Sequence, residues 1–566
     1  MPFDQAQPDP NSITPFAGND PEKSPSEPVE AMGKTAGRGM VWMLLSNGLT
    51  KGQVIVAQLV LGLLLTKHDF GIYFIVMSIA MYIQTFRDGG VRDYLTQRIN
   101  TYFKDLGPCF WLSVVVNCVV GVALGLTGEL VGYIYAHAKD SGITSASEIS
   151  TLVWIMAASL PLGSAAPVLV PRLRMTMQFK SLATWAVLSG AVRYIGQICL
   201  ALAGFGTYSL IIPFIAVAIF DSAYLIYATR LWPWMYPVGI GQWVTILKRS
   251  GWLILGQSFA GILNSGYFLL AGLFVPIEII GVLGFAVQLH MQIETLIGQA
   301  VVGVMQPVLT RLRDDLPRQG LACLRIARAA TLISAPATLG IALLYPVAET
   351  IVFGGKWADA AIPLAILSIG YVARSSLISV PNPLLLARDA FKQWAFLWGI
   401  NCAGLLLFAT LGGFAASHIP SPAFQGSSLP PDQWQILILS LAVSTFLVIG
   451  CWFGTARVMR TIGVPYQETL RACIGILPLV AAITALCALL DYFVLVPRLE
   501  AMFPHNLVIV GRSFAVSDLI RAPILGLTFA ASIAAGIRLL AGAQIADALG
   551  VLPGRLAAPI QRVLRL

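Results

Sequence analysis

The chain has 566 residues, of which 57% are hydrophobic and only 11% charged, with a formal net charge of +9. A soluble domain is about 45–50% apolar and about 25% charged. This composition, with a mean hydropathy of +0.78, excludes an ordinary water-soluble enzyme, a disordered chain and a small disulfide scaffold. What remains is an all-α polytopic membrane protein, with room for roughly fourteen spans of about 20 residues each.

Residues 1–37 are rich in Pro, Ser, Asp and Glu and carry no apolar period. They are expected to form a disordered cytoplasmic tail. The segment is acidic and lacks an apolar core, so it does not read as a signal peptide. Gly33-Lys34-Thr35 looks like the end of a phosphate-binding loop, but Pro28 stands where that loop needs a glycine, so no nucleotide site is assigned.

From Met40 onward apolar runs alternate with short polar loops. Spans are predicted at 40–65, 70–90, 108–135, 150–171, 181–204, 207–229, 250–275, 280–305, 327–351, 361–386, 393–416, 434–456, 470–495 and 520–543. With the N-terminus inside, 27 of the 36 Lys and Arg fall in cytoplasmic segments, 6 in outside loops and 3 within spans. That bias fits an even number of spans with both termini cytoplasmic, and basic loops rather than nucleic-acid binding explain the net charge. The eight cysteines are scattered through apolar runs without a C-x-x-C pair, so they read as small buried residues and not as a metal or redox site.

An offset of 210 residues aligns Gly62 with Gly272, Leu63 with Leu273, Gly71 with Gly281, Met81 with Met291, Ile83 with Ile293 and Thr85 with Thr295. The offset carries spans 1–2 onto spans 7–8. A shift of six spans preserves orientation, so it predicts two parallel six-helix repeats related by an axis along the membrane normal. The expected organisation is a tail at 1–37, an N-terminal lobe at 38–235, a C-terminal lobe at 236–460, and two additional helices with a cytoplasmic end at 461–566.

A Lys, Arg or Asp at mid-membrane costs about 2.5–3.5 kcal/mol on insertion scales, which makes such a charge a functional candidate. Lys51, Arg193 and Arg374 each lie 11 to 13 residues into a predicted span. At 1.5 Å per residue that is roughly 16–20 Å from the entry surface, near the centre of a core about 30 Å thick. Their neighbours are polar at helical spacing: Asn47, Lys51 and Gln58 on span 1, and Ser189, Arg193 and Gln197 on span 5. Tyr371, Arg374, Ser375, Ser379 and Asn382 cluster on span 10. Such stripes face protein or water, and two or three fixed cations suit a multivalent anion such as a diphosphate. Gln288, Gln292 and Gln299 on span 8 could meet sugar hydroxyls or bond across helices. Arg87, in the Arg87-Asp88-Gly89-Gly90 break, could stand at the cytoplasmic mouth. The structural alternative has Lys51 or Arg193 pairing with Asp221 on span 6; Asp221 could equally be a proton or sodium site. His290 and Glu294 supply only two ligands, so no metal is assigned. Nor is any catalytic group, because no nucleophile with a partnered base stands out.

The stretch Asp69-Phe70-Gly71-Ile72-Tyr73, then Phe86-Arg87-Asp88-Gly89-Gly90 and Gln97-Arg98, resembles the opening of Wzx-type polysaccharide transporters. The resemblance continues through Arg172-Leu173-Arg174-Met175-Thr176-Met177-Gln178-Phe179 and Gly204-Phe205-Gly206-Thr207-Tyr208. Further matches are Gln306-Pro307-Val308-Leu309 with Arg311-Leu312, and Phe353-Gly354-Gly355-Lys356-Trp357. It covers roughly 38–460. The resemblance implies two six-helix lobes around a central cavity, the multidrug/oligosaccharidyl-lipid/polysaccharide exporter type. It implies a bacterial inner-membrane flippase that carries polyprenyl-diphosphate-linked oligosaccharide by alternating access, for exopolysaccharide or lipopolysaccharide assembly. The expected partners are that substrate, the bilayer and polysaccharide polymerase and export proteins, with no cofactor and no nucleic acid. The alternative on the same fold is a cation-coupled multidrug-type exporter. One departure is that 264–267 reads Asn-Ser-Gly-Tyr where an acidic residue is expected early in the second lobe.

Overall fold

The computed structural model describes residues 29–84, 91–97, 101–138, 143–418, 430–503, 506–509 and 512–540. Helices α1 (Val29–Leu64), α2 (Lys67–Gln84), α3 (Val91–Gln97), α4 (Tyr102–Ala138), α5 (Ile143–Leu162), α6 (Ala166–Met175), α7 (Phe179–Leu202), α8 (Tyr208–Ile211) and α9 (Pro213–Thr229) build the first lobe. The second holds α10 (Ile240–Ser265), α11 (Tyr267–Ala271), α12 (Ile277–Arg311), α13 (Leu316–Phe353), α14 (Ala361–Ser379), α15 (Pro381–Ala387), α16 (Phe391–His418) and α17 (Pro431–Arg460). Helices α18 (Tyr466–Ile474), α19 (Leu477–Leu490), α20 (Val496–Met502) and α21 (Val516–Leu540) follow. Before α21, strands β1 (Asn506–Ile509) and β2 (Arg512–Ala515) pair antiparallel in a hairpin with Asn506 opposite Ala515. This is the one sheet among the described residues, in a segment read from sequence as a loop.

Eleven described helices are long and apolar enough to cross a membrane, or twelve if the bent pair α5–α6, kinked by 46°, is one span. The fourteen predicted spans include two rods outside that set, α2 and α10. Helix α2 falls outside because Lys67, His68 and Asp69 open its 18 residues; its Ile72, Ile75, Val76 and Ile79 are fully enclosed, and the helix packs on α4, α5, α10 and α12. A rod surrounded by protein does not need a lipid-compatible surface on every side. The cysteines divide likewise: six are buried, while Cys118 and Cys199 are exposed.

The two lobes repeat each other in their packing. In the first lobe α1 packs on α7, α4 on α5, α5 on α9, and α7 on α9; six rods later α10 packs on α16, α13 on α14, α14 on α17, and α16 on α17. The lobes meet where α2 crosses α12. A Cβ on Gly71 would lie 2.1 Å from the carbonyl oxygen of Ile277, and one on Gly281 would lie 2.0 Å from that of Lys67. Both relations obey the 210-residue offset, so each glycine touches the counterpart of the residue its partner touches. That reciprocity is what a pseudo-twofold axis between the lobes produces. Backbones this close require residues without side chains at the crossing.

The last helices form an annex. Leu477, Val480 and Ile483 of α19 and Phe529 and Ile533 of α21 pack with Leu339, Leu343 and Val347 of α13, and Phe529 fills the space beside Gly340. Arg521 pairs with Asp491 inside the annex.

Overpacking a close-packed site costs about 1–3 kcal/mol. Gly281→Val is therefore expected to lower the thermal midpoint of the detergent-solubilised protein, while Gly241→Val, in open space, leaves it unchanged; size-exclusion chromatography after a temperature series reads both.

Candidate functional site

The pseudo-symmetry breaks along one seam. Helix α2 packs along α10, with the Ser78 hydroxyl donating to the Ser265 carbonyl. Among the described residues the counterpart pair, α12 and α1, meets more sparsely, Lys51 reaching Thr295 and Gln292. Instead a cavity of about 280 Å³ lies between α1, α12 and α13. Its wall is apolar (Ile55, Leu59, Phe285 and Leu344 among others) except for Gln58, Gln292, Tyr345 and Glu349. A second chamber of about 40 Å³ adjoins it through Gln58 and is more polar than the first, with Tyr73, Arg193, Gln197 and Gln288 beside apolar residues such as Leu61 and Phe70 in its wall.

Arg193 is placed by α7, which lies along α1 because Gly190 admits the Gln53 side chain; a Cβ there would meet Gln53 Oε1 at 2.4 Å. Gln53 in turn donates to the Val187 carbonyl at 3.2 Å. The guanidinium stacks over Phe214 at 4.4 Å and Tyr194 at 5.4 Å, and Tyr73 shares the wall of the same chamber. Among the described residues no carboxylate lies within ion-pair distance of it. Gln58 Nε2, Gln288 Oε1 and Arg193 Nε are buried without a hydrogen-bond partner among those residues. Leaving such a group unsatisfied costs about 1–3 kcal/mol, so three around one chamber mark a place built for water or a polar ligand.

Lys51 crosses the open seam. Its ammonium donates to Thr295 Oγ1 at 2.6 Å and approaches Gln292 Oε1 at 3.4 Å, both on α12. Like Arg193 it has no carboxylate partner among the described residues. Both acceptors are neutral, so the positive charge stays uncompensated.

The other residues singled out from sequence have different surroundings, Gln197 alone of them lining the second chamber. Arg374 is not a free cation: its Nε lies 2.9 Å from Glu294 Oε2, with side chains 2% and 8% exposed. Its guanidinium also donates to Asn264 Oδ1 and stacks over Tyr371 at 5.6 Å. Asn264 opens the 264–267 stretch where an acid was expected; α12 supplies the carboxylate instead. Gln197 is buried and donates to the Leu210 carbonyl at 3.0 Å. Asn47 is exposed on α1. Asp221 accepts from the Trp185 indole at 2.9 Å and is not in the wall of either chamber. Arg87 lies outside the described residues. Tyr73 joins the site without having been singled out for it; a tyrosine closing the Asp69-Phe70-Gly71-Ile72-Tyr73 motif was the available signal.

Breaking a buried ion pair costs about 3–5 kcal/mol because the remaining charge stays buried. Glu294→Gln and Arg374→Ala should each lower the thermal midpoint sharply, and the double change Glu294→Leu/Arg374→Leu should recover part of the loss. Lys51→Ala, at a half-buried site, should change it little; the same chromatographic melts decide.

Residues 60–362 match the family model described as polysaccharide biosynthesis protein. The chain is 23% identical to the succinoglycan biosynthesis transport protein ExoT of Rhizobium meliloti (strain 1021), over 67% of this chain and 75% of that one. It is 22% identical to the lipopolysaccharide biosynthesis protein WzxC of Escherichia coli (strain K12), over 66% and 77%. Among solved structures it shares its fold with the lipid II flippase MurJ in an inward closed conformation, at TM-score 0.62, 11% identity and coverage of 87% and 98%. It also shares it with an inward-facing multidrug resistance MATE family transporter, at TM-score 0.55, 13% identity and coverage of 73% and 96%. Two parallel lobes, the open seam and these relatives lead to one assignment: the chain belongs to the polysaccharide biosynthesis protein family, of the Wzx type.

Proposed function

We propose that the protein flips a lipid-linked oligosaccharide carried on a polyprenyl diphosphate across the bacterial inner membrane, by rocking of one lobe against the other. The observation that carries this reading is the pair Lys51 and Arg193: two mid-depth cations on the inter-lobe seam and chamber, without carboxylate partners among the described residues. A diphosphate supplies oxygens for both through charge-assisted hydrogen bonds. The apolar cavity beside them suits the aliphatic part of the same substrate, with Gln58 and Gln292 at the boundary. Gln292 and Gln197 take the sugar-side contacts in this reading. Arg374 holds α12 to α14 and does not bind substrate. The names of the relatives, which concern succinoglycan and lipopolysaccharide biosynthesis, support a polysaccharide pathway.

The proposed organisation keeps the lobes at 38–235 and 236–460, the annex at 461–566 and both termini in the cytoplasm. An inside-negative potential then favours outward movement of two negative charges by about 4.6 kcal/mol per 100 mV, from about 2.3 per charge. No nucleotide hydrolysis is required. The rival reading, an exporter of organic cations, needs a carboxylate free to meet a cation in the cavity. Among the described residues Glu349 is the one carboxylate in either chamber wall, and its Oε1 is held by the Trp357 backbone N–H at 2.9 Å.

The test is complementation of a deletion strain. Arg193→Ala and Lys51→Ala, inserted at wild-type level, should cut surface polysaccharide by roughly tenfold or more, the scale of one charge-assisted hydrogen bond. They should leave lipid-linked intermediate on the cytoplasmic face, with Lys51→Arg retaining most export. Unchanged export in both alanine variants would sink the cationic-site reading. Intact polysaccharide in the deletion strain itself would favour the exporter.

A further inference from the structure

In the 353–357 segment, Phe-Gly-Gly-Lys-Trp, substrate binding does not explain Lys356 and Trp357, which both bond to the other lobe. The segment follows α13, whose end is closed by Gly354 in the left-handed region (φ 65°), its N–H donating to the carbonyls of Glu349 and Thr350. Gly355 is also left-handed (φ 90°). Two such residues in succession turn the chain back sharply, which side-chain-bearing residues resist.

The reversal delivers Lys356 and Trp357 to the end of α1, in the other lobe. The Trp357 indole donates to the Gly62 carbonyl at 2.9 Å, and the Lys356 ammonium to the Leu63 carbonyl at 2.9 Å. These are among the last carbonyls of α1, which have no partner within their own helix and carry the negative end of its dipole. The first lobe's leading helix is therefore capped by the second lobe. Trp357 is fully buried. Its ring stacks on Phe285 at 4.3 Å and meets Phe70 of α2 edge-on at 5.2 Å. Just beyond, Lys67 pairs with Asp359 at 2.6 Å, and Gln433 donates to the other carboxylate oxygen at 3.0 Å.

We propose that the 353–357 turn, with the Lys67–Asp359 pair, is a latch that closes the two lobes over the end of α1 and must release for the transporter to open on that face. The release step rests on the transport reading; the latch itself does not. Each cross-lobe hydrogen bond in it is made to a helix end or a part-exposed charge, so water can replace each one as the lobes part, and the edge contact of Trp357 with Phe70 is the apolar element that separates with them.

Two arms test this in the full-length protein. In a background with Cys118→Ala and Cys199→Ala, the pair Lys67→Cys/Asp359→Cys is bridged with a short bifunctional thiol reagent and read by mass spectrometry of the linked peptides. Bridging is expected in most molecules, and Trp357→Phe, which removes only the indole N–H bond and part of the ring, should slow it about five-fold, the scale of one net hydrogen bond. No bridge, or a rate indifferent to Trp357→Phe, overturns the latch; this arm needs no substrate. In the second arm the bridge, made with a reducible reagent, should stop polysaccharide export, and reduction should restore it. Bridged protein that exports normally overturns the release step. Should the double-cysteine protein fail to insert, charge exchange replaces it: Lys67→Asp and Asp359→Lys should each impair export and the double exchange restore it, and failure to restore overturns the pair's role. A deletion strain with intact polysaccharide would strike the flippase reading alone and leave the bridging result standing.

Discussion

The contact on which the architecture turns is the glycine crossing of α2 and α12. Gly71 and Gly281 let two backbones touch, Gly71 against the carbonyl of Ile277 and Gly281 against that of Lys67. In lipid there is little hydrophobic gain in bringing helices together, so close van der Waals packing must hold them. A contact on the pseudo-axis has a second virtue. It relates the two lobes by matched backbone contacts, while on either side of it the seams differ: α2 lies along α10, and a cavity lies between α1, α12 and α13.

Charge is handled in two distinct ways around that crossing. Within the second lobe, Arg374 and Glu294 neutralise each other, with Asn264 and the Tyr371 ring completing the shell. Such a pair need not stabilise more than apolar packing would, but neither partner can leave alone. At the inter-lobe site Lys51 and Arg193 receive only neutral oxygens and aromatic faces. Rings and hydroxyls partly replace hydration without cancelling the charge. The difference matters for function, since an anion competing with Glu294 gains little, whereas an anion competing with Thr295 or Phe214 gains a full charge.

Much of this was legible in the sequence, for identifiable reasons. Hydropathy located the rods, because a long apolar helix is a one-dimensional signal. The 210-residue offset was visible in six identities, and one of them, Gly71 with Gly281, lies at the crossing of the lobes. Depth along a span marked Lys51, Arg193 and Arg374 equally, since all three sit near the middle of a helix. What depth could not reveal is azimuth relative to other helices. Arg374 of α14 faces Glu294 of α12, and His290 and Glu294, one turn apart, look like a pair but diverge: His290 meets the Leu364 carbonyl at 3.0 Å while Glu294 meets Arg374. The paired glycines of 353–357 were readable as a motif, but their purpose depends on the end of α1, nearly 300 residues away in the chain.

Helix α1 joins these threads. Along one rod it carries Lys51 at the open seam, Gln53 bonded into its own lobe, Gln58 between the polar and apolar chambers, and the capped carbonyls of Gly62 and Leu63. Two of these stations bond to the second lobe, one near each end of the binding region. A rigid helix held at both stations cannot rotate with its lobe; released at either, it can tilt about the other. In the proposed reading, an anion that draws Lys51 away from Thr295 removes one restraint and leaves the other intact, and the helix between the two stations carries the coupling.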